Sequence, residues 1–193
     1  MRGRLRFSAN AAAILWLILA ERSVWGLLTL AAVLLHEAGH WIAARCLHIP
    51  TGNVCVGTAG VRIMLADGLL SYRAEALIAG AGPAVNLISA VFAVLLYRVR
   101  PDDGLLFFSA ASLCLGGINL LPLPTFDGGR ILAAVLCTLM GPDYADPLLA
   151  AAEAVGTALI WLIASALILR TGGNITLTVL AALLIWRMMS GYR

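Results

Sequence analysis

His36, Glu37 and His40 form an HExxH motif inside a long apolar run, residues 24–47. On a helix, positions i and i+4 lie on the same face, so the two imidazoles can bind one zinc ion, and the glutamate beside them can exchange a proton with water at the metal. The same motif would also arise from two histidines at the membrane interface beside a solvated glutamate, with no metal bound. An acidic residue at the centre of a membrane helix costs about 2.5–3.5 kcal/mol, so ionisable groups this close together favour a shared cation.

Zinc catalysis also needs a third protein ligand and an open position for water. Asp127 is the strongest candidate, because it follows a stretch broken by Pro122 and Pro124 and precedes two glycines. Irregular backbone at membrane depth is tolerated only where it is buried in protein or lines a cavity. A second role for Asp127, as the N-cap of a helix that begins near Arg130, is compatible with the first. The other acidic residues in or near apolar segments are Asp67, Glu75, Asp143, Asp146 and Glu153.

The composition restricts the class of protein that can carry these residues. The chain has 193 residues, of which 62% are hydrophobic and 12% charged, and its mean hydropathy is +0.96. These values exclude a soluble globule and a disordered chain, and they indicate a polytopic membrane protein. The net charge is +3 and the basic residues, all arginine, are scattered, so nothing favours nucleic acid as a partner. The four cysteines are interpreted as small, reduced hydrophobic residues.

The predicted fold class is an all-α polytopic membrane protein, organised as one membrane-embedded domain over residues 1–193. About six transmembrane helices are expected, with a short β-rich segment between helices 2 and 3 and a proline-broken helix 4. The apolar runs are 8–20, 24–47, 75–98, 105–121, 148–169 and 175–189, with a shorter run at 131–140. Glycines and alternating stretches in 49–74 predict one or two short strands there.

Arginine counts predict the orientation of the chain. With the N-terminus in the cytoplasm, eight arginines lie inside and four outside. The HExxH motif then lies in the cytoplasmic half of the bilayer, on the same side as the proline-containing break. We expect a multi-pass protein of the bacterial cytoplasmic membrane with both termini in the cytoplasm.

Three sequence blocks resemble the site-2 protease family of intramembrane zinc metalloproteases. Residues 36–40 match its HExxH motif, 82–86 match its G-P-x-x-N block, and 119–128 match its N-x-x-P-x(4)-D-G block. The order and separation of the blocks also match, and the resemblance covers nearly the whole chain. The chain is most similar to the small six-span branch, which includes a sporulation protease that processes a membrane-tethered pro-sigma factor. We expect neither the CBS domain of that branch nor the PDZ domain of larger members.

The resemblance implies that His36, His40 and Asp127 bind Zn²⁺ and that Glu37 is the catalytic residue that activates water. It also implies that Asn119 lies beside the site and helps to position the substrate.

Three further residues are predicted to bind substrate. Asn86 lies in the middle block, and it is interpreted either as a hydrogen-bonding partner near the ligands or as a contact between helices. Val54 and Val56, in the predicted β-rich segment, are expected to pair with an extended substrate by strand addition.

The predicted function is that of an intramembrane zinc endopeptidase. Its substrate would be a membrane-spanning or membrane-tethered protein, such as a pro-sigma or anti-sigma factor, and a regulatory membrane protein would be a further partner. The alternatives are a non-catalytic protein that binds transmembrane segments and a divalent-metal transporter. A transporter would distribute polar groups along several spans, and an inactive relative usually lacks a ligand or the glutamate; here neither is the case.

Overall fold

Helices form most of the part of the chain that the structure describes. The computed structural model describes the backbone of residues 5–7, 23–49, 51–57, 60–65 and 71–171, and the side chains of 23–49, 71–163 and 165–166. The elements are β1 (Leu5–Phe7), α1 (Val24–Cys46), β2 (Thr51–Gly57), β3 (Gly60–Leu65), α2 (Tyr72–Val99), α3 (Asp103–Asn119), α4 (Asp127–Met140) and α5 (Pro142–Thr171).

Side-chain caps fix where α2 and α3 begin. Ser71 accepts a hydrogen bond from the backbone N–H of Ala74, and Asp102 accepts one from the backbone N–H of Gly104 at 2.8 Å. Each cap satisfies a backbone donor that the first helical turn leaves unpaired. Since only a short polar turn separates α2 from α3, the two helices pack side by side.

Helix α2 is the centre of the bundle, where it contacts α1, α3 and α4. Its buried positions carry mostly small residues, among them Ala79, Gly82 and Ala90, whereas large apolar side chains such as Ile88 and Phe92 are exposed. Small residues let helix backbones approach closely, and large apolar side chains on the outside suit a lipid environment. The protein is therefore an integral membrane protein, packed through small residues.

The predicted fold class was wrong for the described part of the chain. Five helices are present there, and three of them are long and apolar enough to cross a membrane: Val24–Cys46, Tyr72–Val99 and Pro142–Ile163. The predicted spans 8–20 and 175–189 lie outside the described residues. The fourth apolar run gives α3, which has 17 residues, whereas a spanning helix needs roughly 20.

The proline-broken helix 4 is in fact two separate helices. Helix α3 ends at Asn119 and α4 begins at Asp127. Proline has no backbone N–H and its ring clashes with the preceding turn, so Pro122 and Pro124 prevent the helix from continuing. The short apolar run at 131–140 belongs to α4.

A β-rich segment that contributes to the described core is not supported. Between α1 and α2, the structure describes backbone pairing alone: β2 pairs antiparallel with β3, and β1 pairs parallel with β2. Every buried side chain in the described ranges lies on a helix or in the connection 120–126. The core formed by these side chains is therefore built by helices.

Candidate metal centre

Both histidines of the HExxH motif lie on the buried face of α1. His36 and His40 are 4% and 6% exposed, and they share this face with Ala32, Gly39 and Ala44. The spacing of these residues follows the helical repeat, so one helix face carries both imidazoles toward α2.

Asp127 reaches the histidines because the chain folds back before α4. A Cβ atom at Gly128 would overlap the carbonyl oxygen of Leu120, and one at Gly129 would overlap that of Leu123. The glycine pair therefore allows the 120–126 connection to lie directly against the first turn of α4. Asp127, the first residue of that helix, is 7% exposed.

The three predicted ligand atoms form a nearly equilateral triangle. Nε2 of His36 lies 3.0 Å from Oδ2 of Asp127 and 3.1 Å from Nε2 of His40, and the latter lies 3.2 Å from Oδ2 of Asp127. Ligands at 2.0–2.1 Å from a tetrahedral zinc ion are about 3.3 Å apart, so small shifts accommodate the ion. The donor set and its spacing fit a divalent metal ion with three protein ligands.

The backbone of α2 fixes the orientation of His40. Its Nδ1 lies 2.7 Å from the carbonyl oxygen of Ile78, which can only accept, so Nδ1–H donates and the lone pair of Nε2 faces the other two ligands. A metal-binding histidine usually makes such a hydrogen bond through the ring nitrogen that does not bind the metal. Nδ1 of His36 instead faces the side-chain amide of Asn86, at 3.4 Å.

Close contact between α1 and α2 depends on two glycines. A Cβ atom at Gly39 would lie 2.7 Å from the carbonyl oxygen of Ala81. A Cβ atom at Gly82 would overlap the ring of His40 and lie 2.9 Å from Cε1 of His36. The imidazoles therefore pack directly on the α2 backbone, which limits the positions they can take.

An arginine contacts the second oxygen of the carboxylate ligand. Arg130 donates to Oδ1 of Asp127 at 3.4 Å, and its Nε lies 3.7 Å from Oε1 of Glu75. This arrangement occupies Oδ1 and leaves Oδ2 to the histidines. Glu75, one of the alternative acidic candidates, thus lies beside Arg130, and neither the sequence pattern nor its spacing indicated this pairing.

The other predicted site residues lie at different distances from the triangle. Glu37 is half-buried in the same turn of α1 as His36. Asn119 is part-buried at the end of α3, and its Nδ2 donates to the carbonyl oxygen of Leu115 at 2.9 Å. Val54 and Val56 belong to β2, and their side chains lie outside the described residues. The catalytic role of Glu37 and the substrate-binding roles of Asn119, Val54 and Val56 stay predictions.

The chain is similar in sequence to proteins that are named zinc metalloproteases. No protein-family model matches it. A Mycobacterium tuberculosis protein named zinc metalloprotease Rip3 is 33% identical over 133 residues, which are 65% of this chain and 33% of that protein. Zinc metalloprotease MJ0392 of Methanocaldococcus jannaschii is 29% identical over 120 residues, 60% of this chain and 35% of that protein. The chain therefore spans about one third of the length of these curated relatives.

A solved structure matches over almost the whole chain. The site-2 protease from Methanocaldococcus jannaschii superposes with a TM-score of 0.67 and 25% identity, over 98% of this chain and 90% of that one. The described part of the chain thus combines long apolar helices with one buried His-His-Asp group that could hold a metal ion. The structural match and the names of the sequence relatives support the resemblance to the site-2 protease family that was drawn from the motifs.

Proposed function

We propose that this chain is an intramembrane zinc endopeptidase that hydrolyses a peptide bond in or near the transmembrane segment of a membrane-tethered protein. The observation that supports the proposal is the buried triangle of His36, His40 and Asp127 at metal-ligand spacing. Within the described residues, one group of this kind fits a metal ion, whereas a transport path would need several groups along the helices.

His36, His40 and Asp127 would hold the zinc ion. When bound, the ion would act as a Lewis acid that lowers the pKa of water and polarises a peptide carbonyl. Glu37 lies in the same turn as His36 and acts as the general base. Its carboxylate takes a proton from the attacking water and later gives one to the leaving amine. Water and the peptide bond are thereby converted to a carboxyl group and an amine with no other reactant.

The charges of the site support the same assignment. With neutral imidazoles, the dication is balanced by the carboxylates of Asp127 and Glu37, so the group as a whole carries no net charge. Uncompensated charge is expensive in a low-dielectric interior, and these two carboxylates are the compensation that the sequence provides. Arg130 and Glu75 form a second, mutually neutral pair at the half-exposed edge of the site.

The substrate must be locally extended to react. In an intact helix, the carbonyl is hydrogen-bonded and side chains crowd its approach, so attack requires an unwound segment. We propose a pro-sigma or anti-sigma factor, or another tethered regulatory protein, as the class of substrate. Co-expression with single-span proteins encoded near this gene, scored against a Glu37→Gln control, tests that assignment.

The orientation of the chain is part of the proposal. Arg45 at the end of α1 and Arg73 at the start of α2 lie at one end of these helices, which we assign to the cytoplasmic side of a bacterial cytoplasmic membrane. Accessibility of single cysteines introduced at the two ends of α2 to an impermeant reagent tests this assignment. Labelling of the Arg73 end from the outside would contradict it.

Glu37→Gln tests the proposed reaction. The amide keeps the size of the carboxylate but cannot accept a proton, so we expect bound zinc to be retained and cleavage of a membrane-tethered reporter in proteoliposomes to be lost. Asp127→Ala is the matched variant, in which both metal and cleavage are lost. Metal content by elemental analysis and chelator-sensitive cleavage are the measurements, and normal cleavage by Glu37→Gln would refute the assigned base.

A further inference from the structure

We propose that Asn86 is a positioning residue that holds His36 in the tautomer able to bind metal, by accepting the Nδ1–H of His36 with its side-chain oxygen. The inference rests on the proposed function only in that His36 is a metal ligand. It does not require that the protein cleaves a peptide.

The side chain of Asn86 is completely buried next to His36. It is 0% exposed, its Nδ2 lies 3.4 Å from Nδ1 of His36, and its Oδ1 is buried with no hydrogen-bond partner among the described residues. Gly116 of α3 packs so closely that a Cβ atom there would lie 3.3 Å from Cβ of Asn86. The side-chain amide of Asn86 is therefore held against the imidazole of His36. It can still rotate about the Cβ–Cγ bond, which exchanges Nδ2 and Oδ1.

The two orientations of this amide differ in their consequences for the metal. When Nδ2 donates to Nδ1, the proton of a neutral imidazole must be on Nε2, where it points at Oδ2 of Asp127 and blocks a metal ion. A half-turn of the amide places Oδ1 against Nδ1. The imidazole then carries its proton on Nδ1, the lone pair of Nε2 is free, and the buried oxygen of Asn86 gains a partner.

His40 shows why an acceptor is required. Its Nδ1–H donates to the carbonyl oxygen of Ile78, which fixes the metal-binding tautomer by backbone alone. Ile78 and Asn86 lie on either side of Gly82, where α2 touches both imidazoles. One helix therefore supplies the second partner of each histidine: a carbonyl for His40 and an amide for His36.

Metal affinity of three variants in detergent, measured by chelator competition with Zn²⁺, tests the inference. Asn86→Leu keeps the volume but removes the acceptor, and we expect its affinity to fall 10- to 100-fold. Asn86→Asp keeps an acceptor at the same position and is expected to bind zinc at least as tightly as the wild type, because a carboxylate is a common partner of a metal-binding histidine. Ser109→Ala, which removes a different buried hydrogen bond, to the carbonyl oxygen of Ala90, is the control expected to leave affinity unchanged.

The tautomer of His36 can be determined by nitrogen-15 NMR of the imidazoles. The chain has three histidines, so their signals can be assigned one by one. Without metal, we expect a proton on Nδ1 of His36 in the wild type and in Asn86→Asp, and a mixture of tautomers in Asn86→Leu. Wild-type zinc affinity in Asn86→Leu would overturn the inference. A loss of affinity in Asn86→Asp as large as that in Asn86→Leu would also overturn it, because the effect would then come from changed packing and not from the missing acceptor. Affinity and NMR decide this question without a cleavage assay, so a protein that binds zinc and cleaves nothing would refute the protease and leave Asn86 in its role.

Discussion

The histidines of α1 lie on an uninterrupted helix, whereas Asp127 begins a helix that follows seven residues of irregular backbone. On α1, the helical repeat alone brings His36 and His40 together. At Asp127, the position of the ligand depends on the path of the whole 120–126 connection. The helical half of the metal centre, His36 and His40, is thus specified by local structure. The loop half, Asp127 with the 120–126 connection, is specified by the fit of that connection against α4.

This difference predicts that a methyl group added at a glycine will have different effects on stability and on metal binding in the two halves. In the loop half, the atoms that a new side chain would meet are backbone carbonyls, which cannot move without unfolding the turn. At Gly82, where α2 contacts the histidines of α1, they are atoms of imidazole side chains, which can move but then leave the metal. Added volume should therefore reduce stability in the first case and metal binding in the second.

Gly129→Ala is expected to have the largest effect. Its Cβ atom would overlap the carbonyl oxygen of Leu123, so the connection must open and the free energy of unfolding should fall by about 3 kcal/mol, with loss of bound metal. Gly117→Ala is the matched control, because nothing lies within 4 Å of a Cβ atom there. Thermal unfolding in detergent and metal content are the measurements, and a Gly129→Ala protein with wild-type stability would show that the loop is not tightly fitted.

Gly82→Ala should separate metal binding from stability. Its Cβ atom would displace the rings of His40 and His36, so we expect at least about a tenfold loss of zinc affinity with a smaller change in stability. Gly80→Ala, two residues away on α2, would meet only Cδ1 of Ile131 at 3.8 Å and should bind zinc normally. Equal zinc affinity in the two variants would contradict the close contact between α2 and the imidazoles.

The same difference explains what could be predicted from the sequence. The shared face of His36 and His40 follows from the helical repeat, and the break before Asp127 follows from the chemistry of proline. The partner of His40 could not be predicted, because a backbone carbonyl such as that of Ile78 leaves no mark in the residue pattern. The pairing of Glu75 with Arg130 was missed for a related reason, since it joins residues far apart in sequence.

Hydropathy was a weaker guide to the helices than the motifs were to the site. The apolar run 148–169 predicts a helix that begins near residue 148, but α5 already begins at Pro142. Proline is well tolerated in the first turn of a helix, where its missing N–H would be unpaired in any case, so a polar, proline-containing start does not exclude a helix. An apolar run therefore predicts that a helix exists more securely than where it begins or whether it spans the bilayer.

Arg130→Gln should have the smallest effect and would refine the description of the loop half. Arg130 contacts Oδ1 of Asp127 at 3.4 Å but is more than a third exposed, so solvent screens the interaction. We expect zinc affinity to fall by less than about tenfold, the lower end of the effects of residues that support a ligand. Glu75→Gln should reduce affinity less, because Glu75 contacts Arg130 and not Asp127.

The double variant of Glu75 and Arg130 decides whether the two residues act in series. If Glu75 only orients Arg130, its substitution should have no further effect once Arg130 is glutamine, so the losses will not add. Chelator competition on the two single variants and the double variant gives this comparison. Additive losses would mean that Glu75 influences the metal directly through its charge, and the loop half would then include α2 as a second support for Asp127.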